Sequence, residues 1–98
     1  MSHEIKVHLG NLTDKDVLVA IEDDVLEVGA KKSREICRES QKAPISVEVW
    51  VKNKEPKLTR TKEFSFDTDV VIRFCEFDGE VRFCEIDSLG PPAAFKLI

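Results

Sequence analysis

A chain of 98 residues with 42% hydrophobic and 35% charged side chains is long enough for one domain around one core and too short for two. Its net charge of −4 argues against a general nucleic-acid binder, and no apolar run approaches the ~20 residues of a membrane span. The opening MSHEIKVHLG lacks the cationic stretch, apolar core and cleavage site of a secretory leader, and three cysteines fit a reducing compartment better than a disulfide framework; a soluble, cytoplasmic protein is expected.

Alternation governs the first strand: Ile5, Val7 and Leu9 point one way and Glu4, Lys6 and His8 the other, the period of a half-buried strand. Gly10 to Asp16 reads as a turn, and the glycosylation sequon Asn11-Leu12-Thr13 at its start is expected to be idle without an export signal. Val17 to Ile21 is apolar at nearly every position and reads as a central strand covered on both sides. Glu22-Asp23-Asp24 reverses the chain into Val25 to Val28, which Gly29 closes. Residues 30–41, AKKSREICRESQ, have helix-favouring propensities, but only Ala30, Ile36 and Cys37 are apolar, too few for an amphipathic stripe. An edge strand is expected there in preference to a short helix.

Pro44 ends that segment, and ISVEVWVK follows with Ile45, Val47, Val49 and Val51 on one face and Ser46, Glu48, Trp50 and Lys52 on the other. Asn53 to Lys57 is a charged loop, and Leu58 to Phe66 resumes as a strand with Lys62, Phe64 and Phe66 on one side. Residues 70–87, VVIRFCEFDGEVRFCEID, repeat the motif R-F-C-E about Asp78-Gly79, a strong hairpin signal because a tight turn there needs positive φ. An even-length loop sets Phe74 opposite Phe83, Glu76 opposite Val81 and Cys75 opposite Arg82, which gathers Ile72, Phe74, Val81 and Phe83 on one face. A three-residue loop scatters them over both faces, a slip penalised wherever one face is buried. Gly90-Pro91-Pro92 then releases a short tail.

Short strands joined by turns, without a credible long helix, predict an all-β fold: a small antiparallel β-sandwich of seven to eight strands. Immunoglobulin-like topology is favoured, with a compact Greek-key barrel as the alternative. One sandwich domain over residues 1–90 and a C-terminal tail over 91–98 are expected.

A catalytic reading needs a nucleophile beside a base or a metal cluster, and the chain offers only His3 and His8, both read as solvated histidines on the outer face of an edge strand. Cys75 and Cys84 share one face of the hairpin, near Arg73 and Arg82, but their diagonal relation is poor for an unstrained disulfide and their spacing of nine is wide for zinc. They read as small buried hydrophobes in the first place, with a thiol-based redox or metal role as the alternative. Trp50, facing out between Glu48 and Lys52, has the composition of a binding hot spot unless the tail residues Phe95 and Leu97 cover it. That tail, with Phe95, Leu97 and Ile98, is itself suited to docking on its own domain or on a second copy.

Charge is unevenly spread. Residues 31–62 hold ten basic and four acidic side chains, and the remainder five basic and fifteen acidic. If Arg34, Arg38, Lys52 and Lys54 converge, they form a cationic patch suited to lipid headgroups or glycans; the bland reading is a solvated surface. The expected function is a noncatalytic protein-interaction module whose partner is another protein or a second copy of the chain, with a sheet edge or the tail as the route of self-association, and no cofactor is expected. Its candidate binding residues are Trp50, Lys52, Arg34, Arg38, Phe95 and Leu97. The alternatives are an anionic-ligand binder using segment 31–62 and a thiol or metal protein.

Overall fold

A computed structural model describes residues 3–84. The tail, with Phe95 and Leu97, lies outside the described residues. Eight strands form: β1 (Glu4–Asn11), β2 (Val17–Ile21), β3 (Asp24–Val28), β4 (Ser33–Glu39), β5 (Ile45–Val51), β6 (Arg60–Phe64), β7 (Val70–Phe77) and β8 (Glu80–Phe83). They make two four-stranded sheets, ordered β4-β1-β7-β8 and β3-β2-β5-β6, packed face to face as a β-sandwich.

The pleat explains the core. Each strand turns every second side chain inward, and Ile5, Val7 and Leu9 of β1 meet Val17, Val19 and Ile21 of β2 and Val47 and Val49 of β5, all essentially fully buried. At the other side Phe83 lies 5.5 Å from both Phe74 and Phe64, ring centroid to ring centroid, in tilted pairs, and the Phe64–Phe83 pair bridges the sheets. The β7–β8 hairpin takes the even register, Phe74 opposite Phe83 and Cys75 opposite Arg82. Its two-residue turn has φ of 55° at Asp78 and 76° at Gly79, the left-handed conformation that Asp-Gly favours.

Residues 30–41 form edge strand β4, not a helix, because pairing with β1 turns Ile36 against the core between Arg34 and Arg38. Five readings need correction. All strand pairs are antiparallel except β1 and β7, which run parallel; a purely antiparallel sandwich is not what forms. In the immunoglobulin order the first two strands share a sheet, whereas here β1 and β2 lie in different sheets, so the fold is a β-sandwich with its own strand order. β1 is an interior strand flanked by β4 and β7, so His8 sits on a sheet face and not at an edge. β2 is central but covered on one side only, since Leu18 and Ala20 are half-exposed. The strand expected over 58–66 shortens to Arg60–Phe64, and Phe66 is buried just beyond its end.

One polar knot ties the sheets together. Asn11, at the end of β1, is buried; its Nδ2 donates to the carbonyls of Lys15, Val28 and Gly29 at 2.7, 3.0 and 3.1 Å. Its Oδ1 accepts from the backbone N–H and the hydroxyl of Thr13 at 3.0 and 2.7 Å. Both members of the sequon are thus committed to internal hydrogen bonds, and the amide nitrogen that a glycan would occupy is enclosed.

Candidate functional site

The outward positions of the β3-β2-β5-β6 sheet are fixed by its register. Val25 stands opposite Ala20, Leu18 opposite Trp50, and Ala20 and Leu18 are two residues apart on the same face of β2. The result is a continuous apolar stripe, Val25–Ala20–Leu18–Trp50, crossing three adjacent strands. Val25 is 58% exposed, and the other three are half-exposed.

Charge frames this stripe. Glu27, opposite Leu18, accepts a hydrogen bond from Lys52 Nζ at 3.0 Å. That bond and the carboxylate's charge push the Lys52 pKa above its ordinary value. Lys57 Nζ lies 4.1 Å from the Trp50 ring centroid, a cation–π contact that leaves the ammonium in water. On the far side Glu48 stands opposite Thr61, and Ser46 opposite Glu63. Among the described residues neither Glu48 nor Glu63 has an ion-pair partner. Beside them a shallow depression is lined by Ala20, Gln41, Pro44, Ser46, Glu48 and Thr61.

The sequence-predicted basic residues do not converge into one patch. Arg34 and Arg38 lie on the Ile36 side of β4 and reach across the open side of the sandwich to β3, the first exposed and the second half-buried: Arg34 donates to the Glu27 carbonyl at 3.2 Å, and Arg38 pairs with Asp24. Arg60 and Glu80 close the opposite side, between β6 and β8. Glu27 brings Arg34 and Lys52 together, while Lys54 lies apart, donating to the Gly79 carbonyl at 3.2 Å. Inward charge on an edge strand is a device that discourages strand addition.

The cysteine reading changes as well. Cys75 and Cys84 are half-buried, so neither is the small core residue expected, and Cys37 is exposed. Among the described residues no group of three or more His, Cys, Asp or Glu side chains is placed to hold a metal ion. His8 faces Glu35, with Nδ1 3.2 Å from Oε1, as part of a surface ion-pair group with Lys6.

Sequence reasoning found Trp50 but missed Leu18, Ala20 and Val25. Their signal was present: Leu18 and Ala20 alternate with the buried Val17, Val19 and Ile21. The chain matches no family model, no curated protein and no solved structure. Among the described residues no helix is long and apolar enough to cross a membrane.

Proposed function

We propose that this chain is a noncatalytic protein-interaction module whose contact surface is the outer face of the β3-β2-β5-β6 sheet, centred on Trp50. The carrying observation is the stripe Val25–Ala20–Leu18–Trp50 across three strands. An apolar band rimmed by charge, with a tryptophan as its largest member, is the composition of an interaction hot spot. The unpaired carboxylates of Glu48 and Glu63 favour a partner that brings basic groups beside an apolar anchor. A second copy of this lysine-bearing chain meets that description and is the first partner to test. The inward arginines of β4 favour the face over the sheet edge as the contact.

Trp50 is the chain's single tryptophan, so its emission reports on this face alone. Light scattering and Trp50 emission are followed together over a concentration series of the full chain. The expected result is a larger species at high concentration with blue-shifted emission, and its loss in Trp50→Ala at nearly unchanged Tm. A collapse of Tm in Trp50→Ala makes Trp50 a core residue and overturns the assignment. Association that persists in that variant with normal stability overturns it equally.

A further inference from the structure

Strand direction alternates along the chain, so successive loops fall at alternate ends of the sandwich and collect at two poles. One pole gathers residues 12–16, 29–32, 52–59 and 78–79, which carry six lysines against four carboxylates, with Lys15 and Lys52 paired to Glu76 and Glu27 on the adjoining strands. The other gathers residues 22–23, 40–44 and 65–69, with one lysine against four carboxylates. The net charge of −4 thus conceals a polarised molecule with a basic tip.

The tip is cross-braced. Lys31 Nζ donates to the Leu12 carbonyl at 2.8 Å, and its backbone N–H to the Thr13 carbonyl at 3.0 Å. The Lys52 N–H reaches the Asp16 carbonyl at 3.0 Å, and Lys54 Nζ the Gly79 carbonyl. Lys31 and Lys54 rest on carbonyls and Lys57 on an aromatic ring, so no carboxylate cancels their charge in these contacts. The tip also exposes apolar side chains. Leu12 is 52%, Leu58 47% and Phe77 57% exposed, and the two other large exposed hydrophobics, Val25 and Val71, lie away from it on strand faces.

We propose that this pole, with Leu12, Lys31, Lys54, Lys57, Leu58 and Phe77, is a docking tip for an anionic lipid bilayer. Lysines drawn to acidic headgroups, beside leucine and phenylalanine side chains that enter the headgroup boundary, are the two parts of peripheral membrane attachment. A soluble polyanion rewards only the lysines and leaves Leu12, Leu58 and Phe77 in water. The acidic pole is repelled by the same surface, so an acidic protein docks in one orientation, tip first. This surface adjoins the Trp50 stripe at Lys57, which stacks on the Trp50 ring, while Val25, Ala20 and Leu18 lie outside it on strand faces and stay accessible to a protein partner.

The test is sedimentation of the full chain with vesicles of phosphatidylcholine, with and without phosphatidylserine, at about 0.1 and 0.5 M salt, where screening shortens the reach of the charges. Binding is expected only to the phosphatidylserine vesicles and is expected to fall at least about tenfold at the higher salt. Lys31→Glu/Lys54→Glu should abolish it. Leu12→Ser/Phe77→Ser, both at exposed positions, should weaken vesicle binding several-fold while leaving binding to soluble heparin unchanged; melting curves establish that each variant is folded. No binding of the unaltered chain to the anionic vesicles overturns the proposal. So does vesicle binding that ignores the lysine variant, or heparin and vesicle binding that respond identically to the apolar variant, which makes the tip a polyanion site.

Discussion

The two sheets share one interior and differ in what they show to solvent. On the β4-β1-β7-β8 sheet the outward positions of β1 are polar or glycine, though β7 exposes Val71: Lys6 and His8 both approach Glu35, and the stem of Arg73 lies over Gly10, where an added Cβ would sit 3.4 Å from its Cγ. On the β3-β2-β5-β6 sheet the matching positions of the central strands are Leu18, Ala20 and Trp50. Pleat geometry offers both faces equally, so the difference is one of sequence. A face whose charges neutralise one another is complete in water, and one with an apolar band between unpaired carboxylates is suited to being covered.

This contrast requires that both faces stand on the same core, which the largest expected effect tests. Phe74 is fully buried and touches Phe83, which in turn meets Phe64 of the opposite sheet. Phe74→Ala should lower the unfolding free energy by about 3–5 kcal/mol in urea titrations, with a single transition seen by all probes. Two separated transitions would mean that the sheets unfold independently. The polar tie comes next. Asn11→Ala strands three carbonyls of a loop and a strand end, and should cost roughly 2–3 kcal/mol, since each buried group left unsatisfied costs about 1–3.

The contrast itself is sharpened by placing one charge on each face. Leu18→Lys interrupts the apolar stripe, whereas His8→Lys adds a cation to a face that is already charged. Both positions are half-exposed, and each change should move stability by about 1 kcal/mol or less. Concentration-dependent association should disappear in the first and persist in the second. Equal loss in both would erase the distinction between the faces.

Much of this arrangement was legible because alternation is local. The hairpin register followed from Asp78-Gly79 and four apolar residues, and the inner face of β5 from its own pattern. The cysteine assignment failed although the needed information was present: the register that turns Phe74 inward turns Cys75 outward. Other features were not local. Parallel and antiparallel strands share a two-residue period, so no pattern within β1 announces its parallel partner β7. Arg34 and Arg38 look like ordinary surface charge until pairing with β1 fixes Ile36 toward the core and carries them inward with it. The stripe depends on the register between β2 and β5, strands far apart in sequence, so Trp50 was visible alone and its neighbours were not.

The smallest effect concerns the rim of the apolar face. Lys52 and Glu27 pair here as Lys6 and Glu35 do on the charged sheet, and the Lys52 pKa is raised first by the hydrogen bond that its ammonium donates to Glu27 and then by the charge of that carboxylate. A lysine whose folded pKa exceeds its unfolded value contributes stability that is fully present below the unfolded pKa and is lost as pH rises through the folded one. The window therefore opens near 10.5 and extends above it. Because Lys52 and Glu27 are both exposed to solvent, water and salt screen the pair and the effect is small. Between neutral pH and this alkaline window, the Tm of the unaltered chain should fall slightly more than that of Lys52→Met, and added salt should reduce the gap. A gap that is absent at low salt would show that Lys52 only fringes the stripe and does not hold Glu27 in place beside Leu18.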